Sequence, residues 1–191
     1  MYRSRAPVRI DFAGGTTDIN PFCDLEGGAV VSASINLYAH AFFYKIYSSE
    51  IRLHSLDYDK FIEAKGIREL EYDGNLDLVK AALRFLNIPS GMELRLQSDA
   101  PPGSGLGSSA AMGVALLGLL NEVFSLGLTK AQIAELEFTL ETEELKITVR
   151  EFDGALRIIG SKVIKGSNKA ELTRTNLVLY WTDSNLSLIH I

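Results

Sequence analysis

Cysteine is almost missing from this chain: Cys23 is the only one in 191 residues. That excludes an internal disulfide framework and a cysteine-rich zinc site. Histidine is nearly as scarce, and His40, His54 and His190 do not fall at metal-ligand spacing. No run reaches the ~18 continuous apolar residues a membrane span needs. Ala110 to Leu120 is apolar but short, and glycine interrupts it. The N-terminal Met1-Tyr2-Arg3-Ser4-Arg5 is basic, yet Asp11, Gly14-Gly15 and Asp18 follow too soon for a signal-peptide core, so the cytoplasm is the expected compartment. There is no Lys/Arg cluster, and 24 acidic residues outnumber 19 basic ones. A net charge of −5 makes a sequence-independent grip on nucleic acid a poor prospect. Small anions stay open, because backbone amides bind them whatever the net charge.

What the chain does have is core material. It is 47% hydrophobic and 23% charged, the balance of a soluble globular domain. Its length suits one domain, or one and a fraction. Residues 5–13 read as a strand ending at Gly14-Gly15. The β-branched and aromatic stretch 28–48 predicts two strands, 28–34 and 37–47, with a turn near Asn36. Residues 51–56 predict a short strand. Leu76, Val79, Leu83 and Leu86 recur at helical spacing, so 75–86 is an expected helix that Pro89 ends. The alternation Met-Glu-Leu-Arg-Leu over 92–96 marks a half-buried strand. An apolar helix is expected over 108–125, and a second over 130–145 with Thr129 as its N-cap. Residues 156–164 and 177–181 look like strands. The sum is an α+β domain of roughly seven strands and three helices.

The most unusual stretch is Asp99-Ala-Pro-Pro-Gly-Ser-Gly-Leu-Gly-Ser-Ser-Ala110, which runs straight into the apolar helix. A strand, a glycine-rich loop and a helix start form a recurring anion site, since free amides converge there and the helix dipole favours negative charge. Ser104, Ser108 and Ser109 add hydroxyls suited to phosphate or a metal ion. It is not a Walker loop, because no lysine follows the glycines, and it does not fit GxGxxG. A serine-rich turn that only caps the helix is the plainer alternative.

Pro101-Pro102-Gly103-Ser104-Gly105-Leu106-Gly107-Ser108-Ser109-Ala110 resembles the phosphate-binding motif of the GHMP kinases. Arg5-Ala-Pro-Val-Arg9-Ile-Asp-Phe-Ala-Gly-Gly-Thr-Thr-Asp18 resembles their N-terminal substrate motif. Its form, followed by Gly27-Gly28-Ala29-Val30 and Ser34-Ile35-Asn36, is most similar to the branch acting on D-glycero-D-manno-heptose 7-phosphate. The resemblance covers residues 3–147 well. It implies the ribosomal protein S5 domain 2-like fold of the GHMP N-terminal half, and transfer of the ATP γ-phosphoryl to a substrate hydroxyl with Mg²⁺.

Residue by residue, the resemblance implies ATP binding by Pro102, Gly103, Ser104, Gly105, Leu106, Gly107, Ser108, Ser109 and Ala110. It implies Mg²⁺ binding by Ser109 and Glu141, substrate binding by Asp18, Thr16, Thr17 and Gly15, and a catalytic role for Arg9 near an aspartate. Hard oxygens such as serine and glutamate suit Mg²⁺. Glu143 and Glu144 adjoin Glu141, so a solvated helix face is its alternative; Asp18 would equally make an Asx turn, and Arg9 a snorkelling edge-strand arginine. The family's catalytic loop falls on 149–161, where only Asp153 and Gly160 match, with Ala155 near. Asp153 is therefore the expected base or orienter, with an Asp-Gly surface turn as its alternative.

The resemblance divides the chain. Residues 1–165 are the expected ATP- and substrate-binding domain, and 166–185 the start of a second half whose closing domain is missing. Asn176-Leu-Val-Leu-Tyr-Trp181 resembles the strand that opens that half. Leu186-Ser-Leu-Ile-His-Ile191 resembles a translated sequencing adapter and is expected to be non-native. Such a fragment would have little activity alone. Its 156–182 strands would expose an apolar side and favour aggregation or a homodimer. The expected partner molecule is a sugar or sugar phosphate, with no nucleic acid and no membrane. The heptose 7-phosphate is the first reading for the acceptor. A fucokinase-like or mevalonate-pathway substrate is the second, and a non-catalytic nucleotide- or sugar-phosphate-binding remnant is the third.

Overall fold

The computed structural model of the protein describes residues 1–15, 17 and 22–145. Thr16, Asp18, Asp153, the expected strands at 156–164 and 177–181, and the divisions at 165 and 185 lie outside the described residues.

Five strands make one mixed sheet: β1 (Tyr2–Ala13), β2 (Val31–Lys45), β3 (Ile51–Ser55), β4 (Lys60–Ala64) and β5 (Met92–Ser98). Their spatial order is β1-β2-β5-β3-β4. Four helices accompany them: α1 (Phe22–Leu25), α2 (Asp77–Phe85), α3 (Ser108–Val123) and α4 (Lys130–Thr139). A tighter turn at Ile67–Glu69 precedes α2, and a π turn at Leu140–Glu144 extends α4. All pairings are antiparallel except β3 with β5, which run parallel.

Strand alternation sorts the sheet into two faces. Ala6, Val8, Ala39, Ala41, Phe43, Ile51, Leu53, Met92, Leu94 and Leu96 are buried and point into the core. Each fully buried Leu or Ile there contributes about 1.5–3 kcal/mol. The other face carries Arg3 stacked over Phe42, Arg5 over Tyr38 and Arg95 over Tyr44. α3 packs across β1 and β2 and against α4. Its Ala110, Ala111, Val114, Leu117, Leu119 and Leu120 are all within 3% of full burial, so the helix is covered nearly all round. That is why its sequence is apolar without a polar stripe.

Two expectations are corrected. The stretch 28–48 holds one continuous strand, Val31–Lys45, not two with a turn near Asn36. β1 pairs along it from Val31 to Phe43. Its register passes from Pro7 opposite Tyr38 to Arg9 opposite Ser34, so the turn signal at Asn36 is absorbed as a bulge. β4 was not expected; it is an edge strand whose Lys60, Phe61 and Glu63 are exposed, so alternation against a core is weak there. Thr129 does cap α4: its hydroxyl accepts from the Gln132 amide, and the Gln132 side chain accepts from the Thr129 amide.

Candidate active site

The glycine-rich loop leaves β5 and ends at Gly107, which caps α3 with φ +69°. The first-turn amides of a helix have no intrahelical acceptor. A glycine cap offers no side chain to meet them, and none is seen. The cap is also where β1 touches the loop. The Arg9 amide donates to the Leu106 carbonyl at 3.1 Å. A Cβ on residue 107 would lie 1.9 Å from Arg9 Nη1. Arg9 is 3% exposed, and its Nε donates to Asp11 at 3.3 Å. The snorkelling-arginine reading is therefore overturned: the guanidinium is buried against the loop at the helix start.

Ser109 lies in the first turn of α3, and its hydroxyl donates to Glu141 Oε1 at 3.1 Å. Glu141 is 3% exposed, which overturns the solvated-face reading. Burial is the main cause that raises the Glu141 carboxyl above the ordinary range, opposed by the Ser109 bond. One turn earlier on α4 stands Glu137, fully buried, which sequence reasoning missed. Burial, and then the neighbouring Glu141, push its carboxyl well above the ordinary range. Two signals pointed to it: the i, i+4 spacing of Glu137 and Glu141, and Gly113, an isolated glycine inside an apolar helix.

The sign of the resulting pH dependence follows directly. Below the ordinary glutamate range, ~4.3, Glu137 is protonated folded or unfolded and makes no difference. As pH rises through that range the unfolded chain releases the proton and the folded chain does not. Stability is then lost until the folded pKa is reached. Glu137→Gln should melt like the parent at low pH and several degrees above it at neutral pH, at ~2–4 °C per kcal/mol for a chain of this size. Melting curves across pH check this; a gap that does not grow with pH would show that Glu137 ionises normally.

A cavity of about 290 Å³ opens beside the loop. Pro102, Ser108 and Ser109 line one end, and Asp57, Tyr58 and Asn75 are among the residues lining the rest. Asp57 accepts from the Ser98 amide at 2.7 Å, and burial is the largest of the influences that raise its pKa. The segment from Glu71 to Asp77 is gathered by Lys80, only 2% exposed. Lys80 Nζ donates to the Glu71 carbonyl at 2.8 Å, to Asp77 Oδ1 at 3.1 Å and to Asp73 Oδ1. The Asp77 carboxylate in turn accepts from the Gly74 amide at 2.8 Å. These residues too were not singled out from the sequence.

At the end of β1, the Thr17 hydroxyl donates to the Gly14 carbonyl at 2.8 Å and accepts from the Ala29 amide at 3.2 Å. Thr17 thus ties the loop to the segment before β2. Gly14, rather than Gly15, is the sterically demanding glycine, since a Cβ there would meet the Ala29 carbonyl oxygen at 1.8 Å. The structure brings together Arg9, the glycine-rich loop, Ser109 and Glu141. Among the described residues no group of three His, Cys, Asp or Glu is placed to hold a metal, and no helix is long and apolar enough to cross a membrane.

Residues 77–149 match the family model of the GHMP kinases N terminal domain. A D-glycero-alpha-D-manno-heptose 7-phosphate kinase of Campylobacter jejuni is 35% identical over 150 residues, covering 76% of this chain and 44% of that protein. The crystal structure of a D-glycero-D-manno-heptose 1-phosphate kinase from Bacteroides thetaiotaomicron is similar with a TM-score of 0.74 and 31% identity, over 83% of this chain and 54% of that one. A galactokinase from Lactococcus lactis, solved with galactose, is similar with a TM-score of 0.65 and 26% identity, over 83% of this chain and 40% of that one. The chain spans about half the length of these relatives.

Proposed function

The chain carries a GHMP kinase N-terminal domain, and on that footing we propose that it binds ATP and serves phosphoryl transfer to a hydroxyl of a sugar or sugar phosphate. One observation carries the reading: the uncapped start of α3, with the Ser109–Glu141 pair beside it, opens on a cavity of about 290 Å³. In this reading the amides from Ser104 to Ala110, with the turn Pro102-Gly103 and the backbone at Leu106, hold the β- and γ-phosphates. The base and ribose enter the cavity toward Asp57, Tyr58 and Asn75.

The donors at Ser109 and Glu141 are hard oxygens 3.1 Å apart, which fits Mg²⁺. When bound, such a cation neutralises charge between phosphate oxygens. The protein's share is then positioning and charge. Arg9 brings a fixed positive charge to the loop end. Gly15, Thr16, Thr17 and Asp18 are the proposed acceptor-binding residues. The acceptor hydroxyl oxygen forms the new bond to the γ-phosphorus as the bond from that phosphorus to the bridging oxygen breaks, and ADP leaves. Asp153 is the proposed group that orients the hydroxyl and takes its proton. The name of the Campylobacter relative suggests a heptose 7-phosphate as the acceptor, and its anomeric hydroxyl is the proposed site of transfer. A cytoplasmic setting accords with such a substrate.

Two measurements test this. Calorimetric titration with ATP, with and without Mg²⁺, should show Ser109→Ala and Glu141→Gln weakening the Mg²⁺-dependent affinity about tenfold, and the metal-free affinity far less. Equal losses in both conditions would remove these residues from the metal site. ADP release with ATP, Mg²⁺ and D-glycero-D-manno-heptose 7-phosphate, beside galactose, fucose and mevalonate, identifies the acceptor. Nucleotide binding with no acceptor consumed would make the chain a binding domain only.

A further inference from the structure

The glycine-rich loop is fixed at both ends. Its far end, Gly107, meets Arg9. Its near end is Asp99, the residue that follows β5, and three consecutive amides are taken up there. The Ser98 amide donates to Asp57 at 2.7 Å, the Asp99 amide to the Tyr38 carbonyl at 2.8 Å, and the Ala100 amide to the Ser98 hydroxyl at 3.1 Å. Asp99 also clasps Tyr38 from its side chain, whose Oδ2 accepts from the Tyr38 amide at 2.9 Å. Pro101 and Pro102 come next. Their rings fix φ and restrict the residue before each. The direction set at Asp99 is therefore carried stiffly to Gly103, where φ +74° first gives the chain a glycine turn.

Behind Asp99 stands His40. Strand alternation puts it on the outer face of the sheet with Tyr38 and Phe42, yet it is only 7% exposed. Its ring stacks on Phe42, with centroids 6.3 Å apart. Nδ1 lies 3.0 Å from Arg3 Nη2, and Nε2 lies 3.2 Å and 3.3 Å from the two Asp99 carboxylate oxygens. A guanidinium can only donate. Nδ1 is therefore the acceptor, and the ring proton sits on Nε2, from which it is donated to Asp99. Arg3 is itself held over the Phe42 ring at 5.6 Å. A chain of directed bonds thus runs from β1 through β2 to the root of the loop.

We propose that His40 is a positioning residue for nucleotide binding: oriented by Arg3, its Nε2–H holds the Asp99 carboxylate and so aims the glycine-rich loop. The proposal rests on the reading of that loop as the phosphate site for ATP. His40 acts through Asp99 and the stiff Pro101-Pro102 step, not by touching the nucleotide. The support matters because the Asp99 side chain is 38% exposed, so water competes for it. A donor fixed by a second residue and by ring stacking costs little entropy to keep in place, and it gives the carboxylate one direction.

Calorimetric ATP titrations of the 191-residue chain, with Mg²⁺ and in EDTA, test this. His40→Phe keeps a ring of similar size and removes the donor. It should lose about fivefold to tenfold in affinity, equally in both conditions, because the loop and not the metal is displaced. His40→Gln still reaches Asp99 with an amide donor and should stay within about twofold of the parent. Asp99→Ala should lose at least as much as His40→Phe, and the double variant no more than Asp99→Ala alone, since both break one chain of bonds. Asp99→Ala also keeps the test open should His40→Phe fail to melt cooperatively. Nitrogen–proton correlation spectra at neutral pH should show His40 with its proton on Nε2, the signal being assigned by its loss in His40→Gln.

Unchanged affinity in His40→Phe and Asp99→Ala, in chains that melt cooperatively, would overturn the proposal. A His40→Gln loss as large as that of His40→Phe would do the same, because the ring would then serve packing alone. Losses that add in the double variant, or a proton found on Nδ1, would also end it. A parent chain that binds no ATP would overturn the reading of the loop itself, which separates the two failures.

Discussion

Gly107→Ala should abolish most nucleotide binding, lowering ATP affinity about tenfold to a hundredfold and the melting temperature by several degrees. Two costs combine. The residue caps α3 at φ +69°, a conformation that costs an L-residue about 1–3 kcal/mol. The added Cβ would also sit 1.9 Å from Arg9 Nη1. A long side chain ordinarily swings away from such a clash. Arg9 does not have that freedom, because it is buried, its Nε is held by Asp11 and its backbone is bonded to Leu106. The loop must move instead, and it carries the amides proposed to hold phosphate. Gly103→Ala is the control: its φ is +74°, yet nothing lies within 4 Å of the added atom. It bears the conformational cost alone and should lose several-fold less affinity. Calorimetry on both variants decides the matter. Equal losses would mean that the contact between Arg9 and the loop does not fix the site.

Lys80→Met should lower stability by about 2–3 kcal/mol and weaken ATP binding about tenfold, without changing its Mg²⁺ dependence. Methionine fills the volume of the lysine stem but gathers nothing. The Glu71 carbonyl and the Asp73 and Asp77 carboxylates then lose a common donor. Asp73 and Asp77 keep some access to water, which holds the cost below that of a fully buried broken pair. The segment they belong to includes Gly74, Asn75 and Leu76, which wall the cavity, and Leu76 holds φ +55°. Relaxation there changes the end of the cavity proposed to take the nucleoside and leaves Ser109 and Glu141 alone. Melting curves and titrations with and without Mg²⁺ separate the two ends. A stable variant with unchanged affinity would show that the wall stands without its buried ammonium.

Much of the fold was legible because its signals are local. The apolar run of α3, the Leu and Val spacing of α2, the alternation of β5 and the Thr129 cap each lie within one turn or one strand of sequence. The glycine-rich loop was legible for the same reason, since three closely spaced glycines before a helix are a backbone requirement visible in the chain itself. What escaped was non-local. A turn near Asn36 is a sound inference from composition, but a partner strand of matching length converts it into a bulge. The edge strand β4 buries too little for alternation to register.

The site divides along the same line. Sequence alone determined which residue types stand at the start of α3, through a motif contained in a single loop; that Ser109 and Glu141 share a site was implied only by the family resemblance, and it is the packing of α4 against α3 that brings the two within a hydrogen bond. Only tertiary structure decided the rest. Arg9 faces Gly107 because β1 runs beside the loop. Glu137 is buried because α4 lies against the one glycine of α3 that leaves it room. Lys80 is buried because the segment before α2 folds back over it. A charged side chain looks the same in sequence whether water or a helix surrounds it; the packing of distant elements alone removes the water, and with it sets the charge state and the role.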